Sequence, residues 1–397
     1  MTPNSDSPAI VMVPPSSTRS RRNAHIPQLD GIRGVAIIMV MFCHMGAIVR
    51  DTAIAPYLEF GWIGVDLFFV LSGFLITRIL VSGRNKSGYW WRFYSRRGLR
   101  IWPLYYIYLL LNGGLIAAAS HVAVLQRVMA TSANLGTHPL TIATPLALYV
   151  VLAQNFYPAT LFSYKDFSSI TWSLCIEEHF YLVWPLLVRK LSIAKLRVIL
   201  LVLLLLSPMA RLVAYLSLHG KNYEFYYQMV SRVTPFHMDG LIAGSLLALI
   251  WRDLEPGRYS RLFLPLFLGG GVASIILLHF PNNGVAFSFV FSGLAAMFVG
   301  LVGLTLMGWQ RRLFSTPFLR FTGTISYGLY LIHPSIFLVF QSHTIYSKLG
   351  LQNHLHKSET IAAVTAIACS AVIATLSWKY FESPLLRLKD RWTARPD

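Results

Sequence analysis

Charge is scarce in this sequence, and negative charge is scarcest. Only 13% of the 397 residues are charged, and Asp+Glu number 16 against 34 Lys+Arg. A soluble globular domain carries about 25% charged residues, so this supply does not cover a water-facing surface. Cysteine is rarer still. Cys43, Cys175 and Cys369 each lie alone inside a hydrophobic segment, without the spacing of a metal site or a disulfide framework. No early apolar stretch ends in a small-residue cleavage site, so no cleaved signal peptide is expected. No internal repeat is visible, which argues against a transporter built from inverted halves. No long soluble insertion interrupts the chain.

What is present is hydrophobe, 55% of the sequence. Val285 to Met307 contains no charge, and Leu196 to Leu216 is broken only by Arg197 and Arg211. Each is roughly 20 residues long, enough to cross a bilayer. The fold class is therefore an all-α polytopic membrane protein. Candidate spans are 29–49, 61–81, 99–119, 170–188, 196–216, 235–251, 262–280, 285–307, 321–341 and 360–381. Residues 1–28, polar with Pro14, Pro15, Arg19, Arg21 and Arg22, read as a disordered cytoplasmic tail. A membrane domain over 29–382 and a cytoplasmic tail over 383–397 complete the expected organisation.

The formal net charge of +18 does not imply a nucleic-acid partner, because the basic residues lie between hydrophobic spans. They act as topology determinants that also meet anionic lipid headgroups. With the N-terminus in the cytoplasm, Arg84, Lys86, Arg92, Arg96 and Arg97 fall inside. One further apolar stretch, 140–156, decides the rest. If it does not cross, Arg189, Lys190, Lys195, Arg252, Arg258, Arg261, Arg311, Arg312 and Arg320 also fall inside. That asymmetry selects about ten spans with both termini cytoplasmic, and makes 140–156 re-entrant or a surface segment.

Ionisable groups within such spans are costly and mark functional sites by default. In LDGIRGVAIIMVMFCHMG, Arg33 and His44 are eleven residues apart. At 3.6 residues per turn they return to within about 20° of one face, separated by about 16 Å along the axis. One helix face then offers an anion clamp near the cytoplasm and a proton acceptor deeper in. In GWIGVDLFFVLSGFLI, Asp66 lies at a depth similar to His44, where a carboxylate would fix an imidazole tautomer. In FYSRRGLRIWPLYYIY, Arg97 and Arg100 share a face at the cytoplasmic mouth, suited to bidentate phosphate contacts. In ITWSLCIEEHFYLVWP, Ser173, Glu177, Tyr181 and Trp184 form one stripe, with Glu178 rotated away. In TPFHMDGLIAG, His237 and Asp239 lie near an outer end. In TGTISYGLYLIHPS, Thr322, Ser326, Tyr330 and His333 fall on one face, and Pro334 is expected to perturb the helix.

These stretches, with YFESPLLRLK closing the last span, resemble acyltransferase family 3, the bacterial integral membrane O-acyltransferases. The matching stretches run from residue 29 to about 389, in order and on successive spans. The resemblance implies acyl-CoA-dependent O-acylation of a carbohydrate or glycosylated small molecule at the bacterial inner membrane. Acetyl-CoA is the first choice of donor, and no metal is expected. It also implies that the family's arginine-to-histidine motif falls on Arg33 and His44, its R-x-x-R motif on Arg97 and Arg100, and its W-S-L glutamate on Glu177.

Both readings converge on one scheme. Arg33, Arg97 and Arg100 hold the donor phosphates, and the thioester threads between helices to His44. His44 acts as general base or as acyl-carrying nucleophile, with Asp66 or Glu177 orienting it. Trp172, Ser173, Tyr181, Asp239, Tyr330 and His333 are the candidate acceptor-binding residues, the aromatic ones by stacking on sugar faces. The scheme requires His44 and the three arginines to open onto one continuous cavity. The alternative is a proton-coupled transporter or flippase that uses the same buried charges as a relay.

Overall fold

A computed structural model describes residues 25–50, 52–119, 146–156, 169–218, 223–251, 260–280, 282–341 and 355–393. Of the expected tail over 1–28, residues 1–24 lie outside them, and its last two residues open the first helix. Among the described residues every regular element is helical. In chain order the helices are α1 (Pro27–Met45), α2 (Ala55–Glu59), α3 (Gly64–Gly83), α4 (Tyr89–Ala119), α5 (Leu146–Val150), α6 (Trp172–Lys190), α7 (Ile193–Ser217) and α8 (Tyr223–Arg232). They continue with α9 (Asp239–Trp251), α10 (Ser260–Leu278), α11 (Gly284–Leu306), α12 (Arg311–Phe314), α13 (Pro317–Thr324), α14 (Ser326–Gln341), α15 (Leu355–Ser377) and α16 (Ser383–Thr393).

Among the described residues six helical stretches are long and apolar enough to cross a membrane: Pro27–Met45, Ala55–Gly83, Ile193–Ser217, Arg261–Leu278, Gly284–Leu306 and Glu359–Leu388. A bent pair, Pro317–Thr324 with Ser326–Phe340, makes a seventh if counted as one. Helices α4 and α6 fall outside that set. They carry the arginines and glutamates singled out above, and α6 holds Glu177, Glu178, Arg189 and Lys190 within 19 residues. Helix α9 is only 13 residues long, about 20 Å at 1.5 Å per residue, short of a hydrocarbon core of about 30 Å. It is shorter than expected because Thr234–Phe236 is a separate 3₁₀ turn.

Packing is closest where glycine removes the side chain. A Cβ on Gly31 or Gly34 of α1 would strike the carbonyls of Phe314 and Leu319, and one on Gly323 would strike that of Asp30. Helices α3 and α9 meet the same way, through Gly73 against Leu241 and Gly244 against Val70. Between helices in a membrane, such small-residue contacts replace the hydrophobic drive that lipid does not supply. Helices α7 and α10 lie outermost, with apolar side chains such as Leu205 and Ile275 about 71% exposed, as lipid-facing surfaces require.

Three expected boundaries move. The expected span 321–341 is broken at Ile325 by a 74° bend. Helix α14 runs on through Pro334, so the proline is not the break. Residues Thr322 to Ser326 (Thr-Gly-Thr-Ile-Ser) are weak helix formers. Helix α4 starts at Tyr89, ten residues before the expected span at 99. Residues 383–393 form α16 rather than an irregular tail, entered through a π turn at Trp378–Glu382.

Of the segment 140–156, residues 146–156 are described. Tyr105 and Tyr106, midway along α4, donate from their hydroxyls to the carbonyls of Tyr149 and Val150, both at 2.8 Å. Gln154 donates to Thr171 Oγ1 at 2.8 Å and Asn155 to Thr234 Oγ1 at 2.9 Å, with both amides buried. The carbonyls at the end of the short helix α5 are thus bonded by protein side chains.

Candidate active site

Helices α1, α3, α4, α6 and α14 enclose a cavity of about 760 Å³, its open mouth included. On α3 it runs from Val65 to Leu75, about 15 Å of axis at 1.5 Å per residue. Arg33, Arg97 and Arg100 line it, with Glu177 and Tyr181 of α6. The three motifs, far apart in sequence, thus each line part of it.

The electrostatics are lopsided. The three guanidiniums are close enough to repel one another. Arg33 has a distant pair with Asp30 at 3.4 Å. Arg97 lies over the Tyr181 ring, 4.7 Å from its centroid. Among the described residues Arg97 and Arg100 have neither a hydrogen bond nor an ion pair. Glu177, the only carboxylate among the described residues of the cavity wall, is already engaged. It accepts from Ser72 Oγ at 2.6 Å and from Tyr181 Oη at 2.9 Å. The cavity is built for an anion of more than one charge, which brings its own charge-assisted hydrogen bonds. The bend at Ile325 also turns the N-terminus of α14 to the cavity through Ser326, adding the positive end of a helix dipole.

The part of the wall around Ser173 and Tyr330 is neutral. Tyr330 donates to the Ile170 carbonyl at 2.7 Å, and its oxygen lies 2.6 Å from Ser173 Oγ. With the phenol proton committed, Ser173 is the donor of that second bond. Its own proton is therefore in use, and its lone pairs accept from whatever enters.

His44 and His333 form a pair one helical turn beyond Tyr330. Their rings meet edge to face with centroids 4.9 Å apart, and His333 Nε2 is 3.2 Å from His44 Nδ1. His44 Nδ1 also faces the Val40 carbonyl at 3.0 Å. His333 Nδ1 faces the Leu329 carbonyl at 2.7 Å. Carbonyls only accept, so both Nδ1 atoms carry hydrogen, a tautomer that follows from the network, and the one Nδ1–H of His44 is shared between the Val40 carbonyl and His333 Nε2. Among the described residues, His44 Nε2 is left with a lone pair and no partner.

Several expected placements are corrected. Asp66 does not touch His44. It bonds His237 Nε2 at 2.9 Å, both groups buried. Equal depth along two helix axes does not fix which way their side chains turn, and Asp66 faces α9. Glu177 points to the hydroxyls of Ser72 and Tyr181 and not to an imidazole. Asp239 lies outside the cavity, in a fully buried ion pair with Arg211 at 2.7 Å. Ser207 and Ser292 donate to the same carboxylate, and the Ser288 and Phe236 carbonyls take further Arg211 protons. With its oxygens so occupied, Asp239 has nothing left for a substrate. Trp172 stacks on His237, with centroids 5.3 Å apart, and does not line the cavity. His333 faces His44 and is likewise absent from the cavity wall.

The required continuous cavity is therefore only partly formed. Arg33, Arg97, Arg100, Glu177, Ser173, Tyr181 and Tyr330 share it, and His44 does not. Tyr330 is the link, since it lines the cavity and its ring is 6.2 Å from that of His333. Ser72 and Tyr327 are wall residues that the spacing of charges did not point to. The serine in VLSGF, polar within an apolar run, was the available signal. Glu178 is turned away as its position on the helix predicts, and takes a bond from Trp102 Nε1 at 3.2 Å.

Among the curated relatives is the peptidoglycan O-acetyltransferase OatA of Listeria monocytogenes serovar 1/2a (strain ATCC BAA-679 / EGD-e). It is 26% identical over 392 residues, which cover 93% of this chain and 57% of the relative. The O-acetyltransferase OatA of Staphylococcus aureus (strain NCTC 8325 / PS 47) is 25% identical over 381 residues, 91% of this chain and 57% of the relative. The chain thus spans a little over half the length of these proteins. No solved structure matches it. Residues 26–378 match the acyltransferase domain of family 3, and with most of its length inside that match the chain belongs to this family.

Proposed function

We propose that the protein is a membrane O-acyltransferase that moves an acyl group, acetyl in the first instance, from cytoplasmic acyl-CoA to a hydroxyl of a carbohydrate or glycosylated acceptor. The observation that carries this reading is the cavity with three arginines and a single, already bonded, carboxylate on its wall. The phosphates of acyl-CoA supply the negative charge that this cavity lacks. The OatA relatives are named for O-acetyl transfer, one of them to peptidoglycan, and a carbohydrate acceptor follows that precedent.

In this reading ten spans place both termini and the arginine end of the cavity at the cytoplasmic face of the inner membrane. The donor's flexible arm extends along α3 past Tyr330 toward His44, which requires the Tyr330 side chain to move. The acceptor hydroxyl lies against His44 Nε2. As its oxygen attacks the thioester carbon, its proton passes to Nε2. The carbon–sulfur bond then breaks, and the departing thiolate takes a proton back from the imidazolium. A general base of this kind is worth about 10²–10⁴ in rate.

The test uses purified protein in lipid nanodiscs, labelled acetyl-CoA and muropeptide or glycoside acceptors. Replacing Arg97 and Arg100 together by Ala is expected to raise KM for acetyl-CoA at least ~10-fold, since each hydrogen bond to a charged group is worth about 1.5–3 kcal/mol. An unchanged donor KM would place the phosphates elsewhere and remove the basis of the assignment.

A further inference from the structure

His44 lacks the partner that a catalytic imidazole ordinarily has. In a Ser-His-Asp arrangement a carboxylate receives the Nδ1 proton, holds the tautomer and offsets the imidazolium charge. Neither Asp66 nor Glu177 reaches His44 here, for each is bonded elsewhere. The group that occupies the carboxylate's place is another imidazole. His333 Nε2, 3.2 Å from His44 Nδ1, is a lone-pair nitrogen because its ring proton sits on Nδ1 toward Leu329.

We infer that His333 is the positioning residue of this reaction: it shares the Nδ1–H of His44 with the Val40 carbonyl and, through that bond, holds the Nε2 lone pair toward the acceptor hydroxyl. The inference rests on the reading of His44 as the base. When His44 gains a proton at Nε2, its Nδ1–H bond to His333 strengthens and the charge is shared between two rings. His333 is suited to this by its surroundings. It is fully buried, its Nδ1–H is anchored 2.7 Å from a backbone carbonyl one turn back, and Phe337 packs edge-on with centroids 5.4 Å apart. The ring is thus held in one orientation without a counter-ion. A neutral partner suits a site next to an arginine cavity, where a second free carboxylate would compete with the donor's phosphates for the guanidiniums.

Three variants and one spectroscopic measurement test this. His333→Leu removes the imidazole acceptor and leaves only the Val40 carbonyl. His333→Gln keeps a second acceptor, because its amide oxygen reaches the place of Nε2 but holds no transferred proton. His333→Leu is expected to lower kcat ~10²-fold or more, the scale of a lost base, with KM for acetyl-CoA within about twofold. His333→Gln is expected to recover at least ~10-fold of that loss, as orientation without proton sharing should. In the wild-type protein, ¹⁵N-histidine spectra should show lone-pair Nε2 atoms and protonated Nδ1 atoms on both His44 and His333, with a scalar coupling across their N–H···N bond. An active His333→Leu variant, equal losses in the Leu and Gln variants, or a protonated Nε2 on His44 would each overturn the assignment. The spectra need no variant to fold. His44→Ala separates the two claims. If it is active, the base assignment itself falls, whereas an inactive His44→Ala beside an active His333→Leu sinks only the role of His333.

Discussion

Arg211 and Asp239 show what an intramembrane charge does when it has no substrate to meet. Each has zero exposure and the two are joined at 2.7 and 3.0 Å, with serine hydroxyls and backbone carbonyls completing the shell. Removing one partner of a buried pair strands the other, at about 3–5 kcal/mol. Arg211→Ala is therefore expected to lower the unfolding midpoint in detergent strongly. Asp239→Asn should lower it too, while acceptor KM in the surviving folded fraction stays unchanged. A raised acceptor KM with unaltered stability would return Asp239 to the substrate site. Spacing along one helix correctly grouped Ser173 with Glu177 and Tyr181, and it put Arg97 and Arg100 on one wall. It misassigned Asp66 and Asp239, because whether a charge faces a cavity or a neighbouring helix depends on a second helix's rotation, which no single stretch encodes. Arg211 was visible as a lone charge in an apolar run, yet nothing local identified its partner 28 residues on.

At the scale of the elements, the position of Arg33 depends on how closely α1 approaches α12 and α13. Gly31, Gly34 and Gly323 let backbone meet backbone there, and a Cβ at any of them would collide with a carbonyl. A carbonyl cannot rotate aside as a side chain does, so the helices must part. Gly34→Ala, one residue from Arg33, is expected to cost about 1–3 kcal/mol, as overpacking does. It should also raise the donor KM while the His44–His333 bond, at the other end of α1, remains. Unfolding curves and donor kinetics measured on the same preparation check both halves, and a variant as stable as the parent would show that this contact yields. The broken α13–α14 pair was not legible for a related reason. The helical period of SYGLYLIHP runs unbroken to Pro334, so the proline looked like the kink. The chain instead bends at Ile325, where weak helix formers coincide with the tight packing of Gly323.

For the whole molecule, apolar runs were enough to read the helical membrane class, because lipid forces every spanning backbone to satisfy itself. They were not enough to count spans, since the helices that carry the site are the ones whose polarity spoils the count. Orientation is the property on which a cytoplasmic donor depends, and two exposed positions test it. Tyr57 on α2 is 76% exposed just beyond the His44 end of α1, and Leu313 on α12 is 50% exposed at its Arg33 end. In the ten-span reading α3, α4, α6, α7, α9, α10 and α11 cross between them, an odd number if the short α9 completes its crossing with the Thr234–Phe236 turn and residues 146–156 enter and leave by one face. In a background with Cys43, Cys175 and Cys369 replaced, a membrane-impermeant maleimide should label Tyr57→Cys on intact spheroplasts. It should reach Leu313→Cys only after the membrane is opened, because the Arg311–Arg312 pair beside it is held inside. Labelling of both from one face would mean that the count is even, because 146–156 crosses or because α9 does not. The opposite pattern would put the arginine cavity on the side without acyl-CoA, and the donor assignment would then fail on supply, whatever the local chemistry of the site.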